Sequence, residues 1–384
     1  MALALALFLT LLPIVSLTPA SQTGAPASPD ARFTSIDGSS LSDRVDRAVS
    51  RGRATDGASH FWVAFGFDVR PGVAVDLEVR STSGRVVQYE GFSLDTNPKL
   101  ETRNLAVFML YEKSTARPDR VEVYNLDRKR GYDGYPVMWT GRAASDESLK
   151  LLGDLLASQP SGWVAERTVA AIALHADARA AGMLEGIARS SPYDGARSAA
   201  LRWLGIVSDD VSFLAGFVRD AKESLDLRKE AIMAIGISSA GNSVSQLSAL
   251  FAEATNRELR ESIVDAVGIH SGRDDSDASI DFLIRVVDGE HDVALRKKAI
   301  FWLGQKAGSR SLSALEDEVE SPEEEMQAQA VFAISQRDKD EAVPILIRLA
   351  RTHRSPVVKR QAIFWLGQID DERVVPFLKE LLGK

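Results

Sequence analysis

The chain has no cysteine. That excludes disulfides, thiolate nucleophiles, thiolate metal sites and a lipidated N-terminal cysteine. Histidine is scarce: His60, His175, His270, His291 and His353 are the only five, none pairs with another at metal-ligand spacing, and there is no HExxH. No GxSxG, P-loop or GxGxxG motif is present. Excess positive charge is also missing. The formal net charge is −8, whereas a nucleic-acid binder is usually basic over its binding domain. After the first twenty residues no apolar run is long enough to span a membrane. These absences lead us to expect no nucleic acid, no metal, no cofactor and no catalytic residue set.

What is present is apolar enough to build a core. With 384 residues and 45% hydrophobic content, the chain can form two or three domain-sized units. Residues 1–20, MALALALFLTLLPIVSLTPA, are apolar and then turn small, as in a secretory signal peptide cleaved after Ala20. No Lys or Arg precedes the run, which leaves an uncleaved anchor as the other reading. The expected location is periplasmic or extracellular. Residues 21–56 open with a Ser-, Ala-, Pro- and Gly-rich stretch, predicting a flexible linker. Within it, 41–51 place Leu41, Val45 and Ala48 on one side of a short helix.

Residues 57–144 carry period-two patterning. Val73, Val75, Leu77 and Val79 alternate with Ala74, Asp76, Glu78 and Arg80. FWVAFGFDV, RVVQYEGF, NLAVFMLYE, DRVEVYNL and YPVMWTG are likewise β-rich, with turn signals between them such as Pro71-Gly72 and Asn97-Pro98. A small antiparallel β domain of five or six strands is predicted.

From residue 145 to 384 the period becomes helical and the chain repeats itself. Boxes ending at His175, Gly205, Gly236, Gly268, Gly304, Ser335 and Gly367 are spaced 30, 31, 32, 36, 31 and 32 residues apart. A near-fixed period in this range signals a solenoid. One residue before each marker stand Leu174, Leu204, Ile235, Val267, Leu303, Ile334 and Leu366; five before, Ala170, Ala200, Ala231, Ile263, Ala299, Ala330 and Ala362. Eight before, a basic column runs Arg167, Arg197, Arg228, Arg260, Arg296, with Gln327 and Lys359 completing it. Its stems are expected to cover neighbouring helices and its heads to satisfy loop groups. Ser191-Pro192, Ser321-Pro322 and Ser355-Pro356 read as helix starts.

Paired helices of this length, with R-x-x-A-(I/V)-x-x-(L/I)-G in the second, resemble HEAT-like repeats, most of all the short bacterial type also found in phycobilin lyases. The resemblance covers residues 146–384 and implies a mainly α chain: about seven helical pairs and a capping helix, preceded by the β domain. It implies no single function, since such repeats serve unrelated tasks. The β segment carries no family motif.

On a helical wheel the position three before the marker lies nearly opposite the core direction. Phe301, Phe332 and Phe364 occupy it in three consecutive repeats. Gln305, Gln336 and Gln368 lie beside it, as do Lys297 and Arg360. Second helices commonly line the binding surface of a solenoid. These eight residues are therefore the candidate strip for a protein or peptide partner; burial of the rings between neighbouring helices is the competing reading. Trp203, Trp302 and Trp365 are expected to be structural.

The leading expectation is an exported, non-catalytic binding or scaffold protein. The alternatives are an enzyme, lyase or hydrolase, using the cleft between the β domain and the solenoid, or binding of glycan or another envelope component by the β domain through Trp62, Tyr89, Tyr132, Tyr135 or Trp139. DRKRGYDGYPVMW (127–139) mixes basic and aromatic residues and is predicted to be a solvent-facing loop. RDDSDAS (273–279) lacks the glycine of a calcium loop, and EDEVESPEEE (316–325) is predicted to be a solvated helix end.

Overall fold

The structure is a computed structural model that describes residues 32–75, 78–80, 86–88, 92–93, 102–158, 161–270 and 276–383. The signal segment, Leu77, Tyr89 and residues 273–275 lie outside the described residues. The chain divides into two compact units, Met1–Ala200 and Leu201–Lys384. It is mainly helical, with a small β sheet followed by stacked helix pairs.

In the first unit the strands are β1 (Thr34–Ser35), β2 (His60–Gly66), β3 (Ala74–Val75), β4 (Glu78–Arg80), β5 (Val86–Gln88), β6 (Phe92–Ser93), β7 (Leu105–Glu112), β8 (Arg120–Asn125) and β9 (Val137–Arg142). The main sheet has the order β1-β9-β2-β7-β8, and β3–β6 and β4–β5 form two small antiparallel pairs. β2, β7 and β8 are antiparallel, as predicted. β9 lies parallel to β2, and β1 parallel to β9. Strand direction here is set by the crossing from β8 to the far side of β2, and residue alternation carries no trace of it.

Helix α1 (Leu41–Arg53) is capped by Ser40, whose hydroxyl accepts from the Asp43 N–H at 3.2 Å. It buries Leu41, Val45, Ala48 and Gly52. Gly52 sits so close to the Phe61 ring that no side chain fits. The short helix read from 41–51 is present with the expected buried side, and Thr34–Ser35, in the stretch read as linker, pairs with β9. With α1 on one face, the other face gathers Trp62, Ala64, Ala106, Phe108, Leu110, Tyr132 and Val137. Both faces of β2 are covered, so FWVAFG reads as a continuous apolar run.

Four helices complete this unit: α2 (Ser145–Ala157), α3 (Gly162–Ala173), α4 (Arg179–Ser190) and α5 (Asp194–Val207), the last spanning the division. His175 joins the first pair to the β domain. Its ring stacks on Phe67 at 4.3 Å, its Nδ1 donates to the Ala171 carbonyl at 2.8 Å, and its Nε2 is 2.7 Å from Ser148 Oγ. Backbone bonds from Arg70 to Leu174 and from Ala176 to Asp68 flank it. The histidine that interrupts the glycine column is therefore the point of attachment.

The second unit holds α6 (Ser212–Arg219), α7 (Leu225–Ile237), α8 (Ser243–Glu253), α9 (Arg257–Ile269), α10 (Ser276–Gly289), α11 (Val293–Gln305), α12 (Ser309–Val319), α13 (Glu324–Ser335), α14 (Lys339–Thr352), α15 (Pro356–Leu366) and α16 (Val374–Leu382). α2 to α15 make seven successive pairs, and α16 follows them. The second helices α7, α9, α11, α13 and α15 pack one against the next. The Ala and Leu columns are fully buried along them. The marker glycines face the next second helix: a Cβ on Gly236 would stand 2.7 Å from the Ala266 carbonyl oxygen, and one on Gly304 2.8 Å from that of Ala333.

The basic column is structural. Arg197, Arg228 and Arg296 each donate Nε to a carbonyl in the last turn of the preceding helix, at Ala188 (2.7 Å), Val218 (2.7 Å) and Val287 (3.1 Å). These are the orphan acceptors every helix end leaves. Gln327 donates instead to the Ser321 carbonyl, in the turn after α12, at 2.7 Å. Of the predicted starts, Ser355-Pro356 caps α15 as expected. Ser191-Pro192 and Ser321-Pro322 fall in the preceding turns, and α5 and α13 begin at Asp194 and Glu324.

Candidate functional site

The β8–β9 crossing, read from sequence as a solvent-facing loop, exposes Asp127, Lys129, Gly131 and Asp133 and also lines a pocket. Arg128, Lys129, Arg130, Gly131 and Tyr132 meet Arg32 and Phe33 around about 730 Å³, with Leu126 and Asp127 completing the described lining. The volume falls in the range of small-ligand sites. Four cationic side chains face one carboxylate there, in a chain whose net charge is −8. Arg32 is brought in by a bond from its Nη2 to the Arg130 carbonyl at 2.9 Å, across 98 residues of sequence.

The loop is held in an uncommon conformation. Tyr132, Asp133 and Gly134 have φ of 49°, 56° and 76°. Two successive left-handed residues other than glycine are costly, and such strain persists only where the surroundings fix it. They do so here. The Trp62 indole N–H donates to the Tyr132 carbonyl at 3.0 Å, and the Tyr132 ring stacks on Phe108 at 5.1 Å. Asp133 pairs with Arg120, whose guanidinium lies 4.7 Å from the Trp62 ring centre. Arg130 lies over Tyr124 at 4.1 Å, and burial, helped by the Glu122 charge, pushes the Tyr124 phenol up to about 12. The cradle is thus preformed and keeps a neutral phenol beneath its cation.

Of the residues named for glycan contact, Trp62 is fully buried and Tyr132 nearly so; their large apolar rings are core. Tyr135 and Trp139 are half-buried against the same cluster.

In the second unit the predicted strip forms part of a ribbon of five rings. Trp302 and Phe301 meet edge to face at 5.3 Å, Phe301 and Phe332 stack at 6.5 Å, Phe332 and Trp365 lie 5.0 Å apart, and Trp365 meets Phe364 at 4.9 Å. It runs across α11, α13 and α15. Phe301 and Phe332 are half-buried, whereas Phe364 is 55% exposed. Gln305, Gln336, Gln368 and Arg360 are exposed, and half-buried Lys297 is 3.8 Å from Glu325. Trp302 is fixed by a bond from its indole N–H to Asp265 at 2.9 Å, and Trp203 is buried.

Ser148 and His175 are within hydrogen-bond distance of each other and are buried, at 0% and 2% exposed.

Residues 312–384 match the family described as HEAT repeats. No curated protein matches the chain in sequence. Among solved structures it is similar to human deoxyhypusine hydroxylase in complex with glycerol, at 16% identity and a TM-score of 0.31 over 62% of this chain and 90% of that one. It is also similar to the complex of CpcE and CpcF of phycocyanin lyase from a Nostoc species, at 18% identity and a TM-score of 0.33 over 52% and 94%. A third likeness is to Legionella pneumophila aminopeptidase A in complex with aspartic acid, at 11% identity and a TM-score of 0.30, covering 85% of this chain and 42% of that one. At such values no function is carried across. The helix pairs and the matched segment define a HEAT-like repeat fold behind an N-terminal β domain. No helix among the described residues is long and apolar enough to cross a membrane.

Proposed function

We propose that the chain is an exported binding protein whose β domain holds an acidic saccharide in the cavity beneath the β8–β9 crossing. The observation that carries this is the ring of Arg32, Arg128, Lys129 and Arg130 around a preformed pocket. Cations gathered around an open pocket concentrate anions, and a fixed cradle spares the ordering cost of binding. Phe33, only half-buried at the rim, adds apolar ring surface of the kind that packs against a sugar. The apolar first twenty residues support a location where envelope glycans are met.

Calorimetric titration with a carboxylated oligosaccharide and its neutral counterpart tests the reading. Arg32→Ala and Lys129→Ala, both at exposed positions, should each weaken binding several-fold, and affinity should fall with salt. Equal binding of the neutral sugar, or unchanged affinity in both variants, would overturn it.

A second reading rests on the five-ring ribbon. Aromatic residues with amides and cations at i±4 make good contact surfaces. The helical array would then present a protein or peptide partner with Phe364 and its neighbours.

A further inference from the structure

We infer that the β domain also carries a divalent-cation site, formed by His60, Glu112 and Asp119 at the open end of the β2–β7 ladder. His60 and Glu112 are direct cross-strand partners there. Asp119 is brought alongside by its backbone N–H, which donates to the Leu110 carbonyl at 2.8 Å. One donor atom from each of the three lies within 4.8 Å of the others. Ligands on a transition-metal ion at about 2.0–2.2 Å stand roughly 3–3.5 Å apart. Small rotations of exposed side chains close that difference.

Two further observations point to a cation. Carboxylates this close repel by about 1–3 kcal/mol at effective dielectrics between water and a protein surface. Neither Glu112 nor Asp119 has a Lys or Arg ion-pair partner among the described residues. The adjacent Lys113 is committed elsewhere, its ammonium donating to the Thr55 carbonyl. The histidine, for its part, is already oriented. Ser59 Oγ is 2.9 Å from its Nδ1, and the Tyr135 ring packs against it at 5.1 Å. An outer partner of this kind holds the ring of a ligating histidine in place.

An imidazole with two carboxylates suits zinc or a neighbouring first-row dication better than magnesium or calcium, which prefer oxygen alone. Three protein donors leave a coordination position open, as catalytic rather than closed structural zinc sites do. This site is separate in residues from the Arg32 pocket, and neither proposal depends on the other.

The test is calorimetric titration of the full chain, stripped with chelator, using zinc and then magnesium. His60→Ala, Asp119→Asn and, as a control for adventitious imidazole binding, His291→Ala are compared, each shown by circular dichroism to be folded. The wild type should bind one equivalent of zinc that His60→Ala abolishes. Asp119→Asn should weaken it at least about tenfold, and His291→Ala should leave it unchanged. The proposal fails if the wild type takes up no zinc. It fails equally if zinc is lost in His291→Ala, if magnesium binds as tightly, or if Asp119→Asn binds like the wild type.

Discussion

A single hydrogen atom in place of a methyl group decides how closely the repeats stack. Gly205 faces the Ala234 carbonyl, and a Cβ there would overlap backbone that cannot move aside. Gly205→Ala is therefore expected to destabilise by about 1–3 kcal/mol through overpacking. Gly216 lies in α6 with open space around it. Gly216→Ala should be neutral or stabilise by up to about 1 kcal/mol, because alanine is the better helix former. Chemical denaturation of the two variants separates close approach from propensity. The marker column was legible because a backbone contact repeated every 31 or so residues leaves the same letter each time. His175 was legible only as an exception, since its partners Phe67 and Ser148 come from two other elements.

At the scale of elements, the joint around His175 should make stability depend on pH. Burial holds this imidazole down at about 4, against an ordinary value of 6.5. Its stabilising contribution is complete above about 6.5, where both states are neutral. Between about 6.5 and 4 the unfolded chain binds the proton and the folded one does not, so stability is lost as pH falls through that window. The loss at the low end is up to about 3 kcal/mol, because each tenfold difference in proton affinity between the two states is worth about 1.4 kcal/mol. Denaturation from pH 7 to 4 should show this slope, and His175→Phe, which can keep the stack on Phe67, should flatten it. A slope unchanged in that variant would assign the dependence to other groups. The β strands show what patterning alone misses at this scale. Period-two alternation located them, but β9 is parallel to β2 because of the path the chain takes between them.

For the whole molecule, what matters is which distant residues become neighbours. The five-ring ribbon links three helix pairs, and its members should separate in their effects. Phe364, 55% exposed, can be replaced by Ser with a stability change under about 0.5 kcal/mol. Phe332, half-buried between Phe301 and Trp365, should cost about 1–3 kcal/mol when replaced by Ser, because stacked area is lost. If the ribbon docks a partner, Phe364→Ser will lose capture of that partner while remaining folded. Equal destabilisation by the two variants would instead mark the ribbon as packing alone. Its three phenylalanines were readable from helical spacing. The pairing of Phe332 with Trp365 was not, since it depends on the rotation of one helix against the next.

The sequence by itself determined the repeats, their period and buried columns, and the existence of the β domain. Each is a local regularity that stacking or pleating imposes on every turn of chain. Only the tertiary structure decided where cations and ligating groups converge. Arg32 meets Arg130 across 98 residues, and His60 meets Glu112 and Asp119 through strand pairing. Such meetings happen once per molecule, so they leave no period in the sequence.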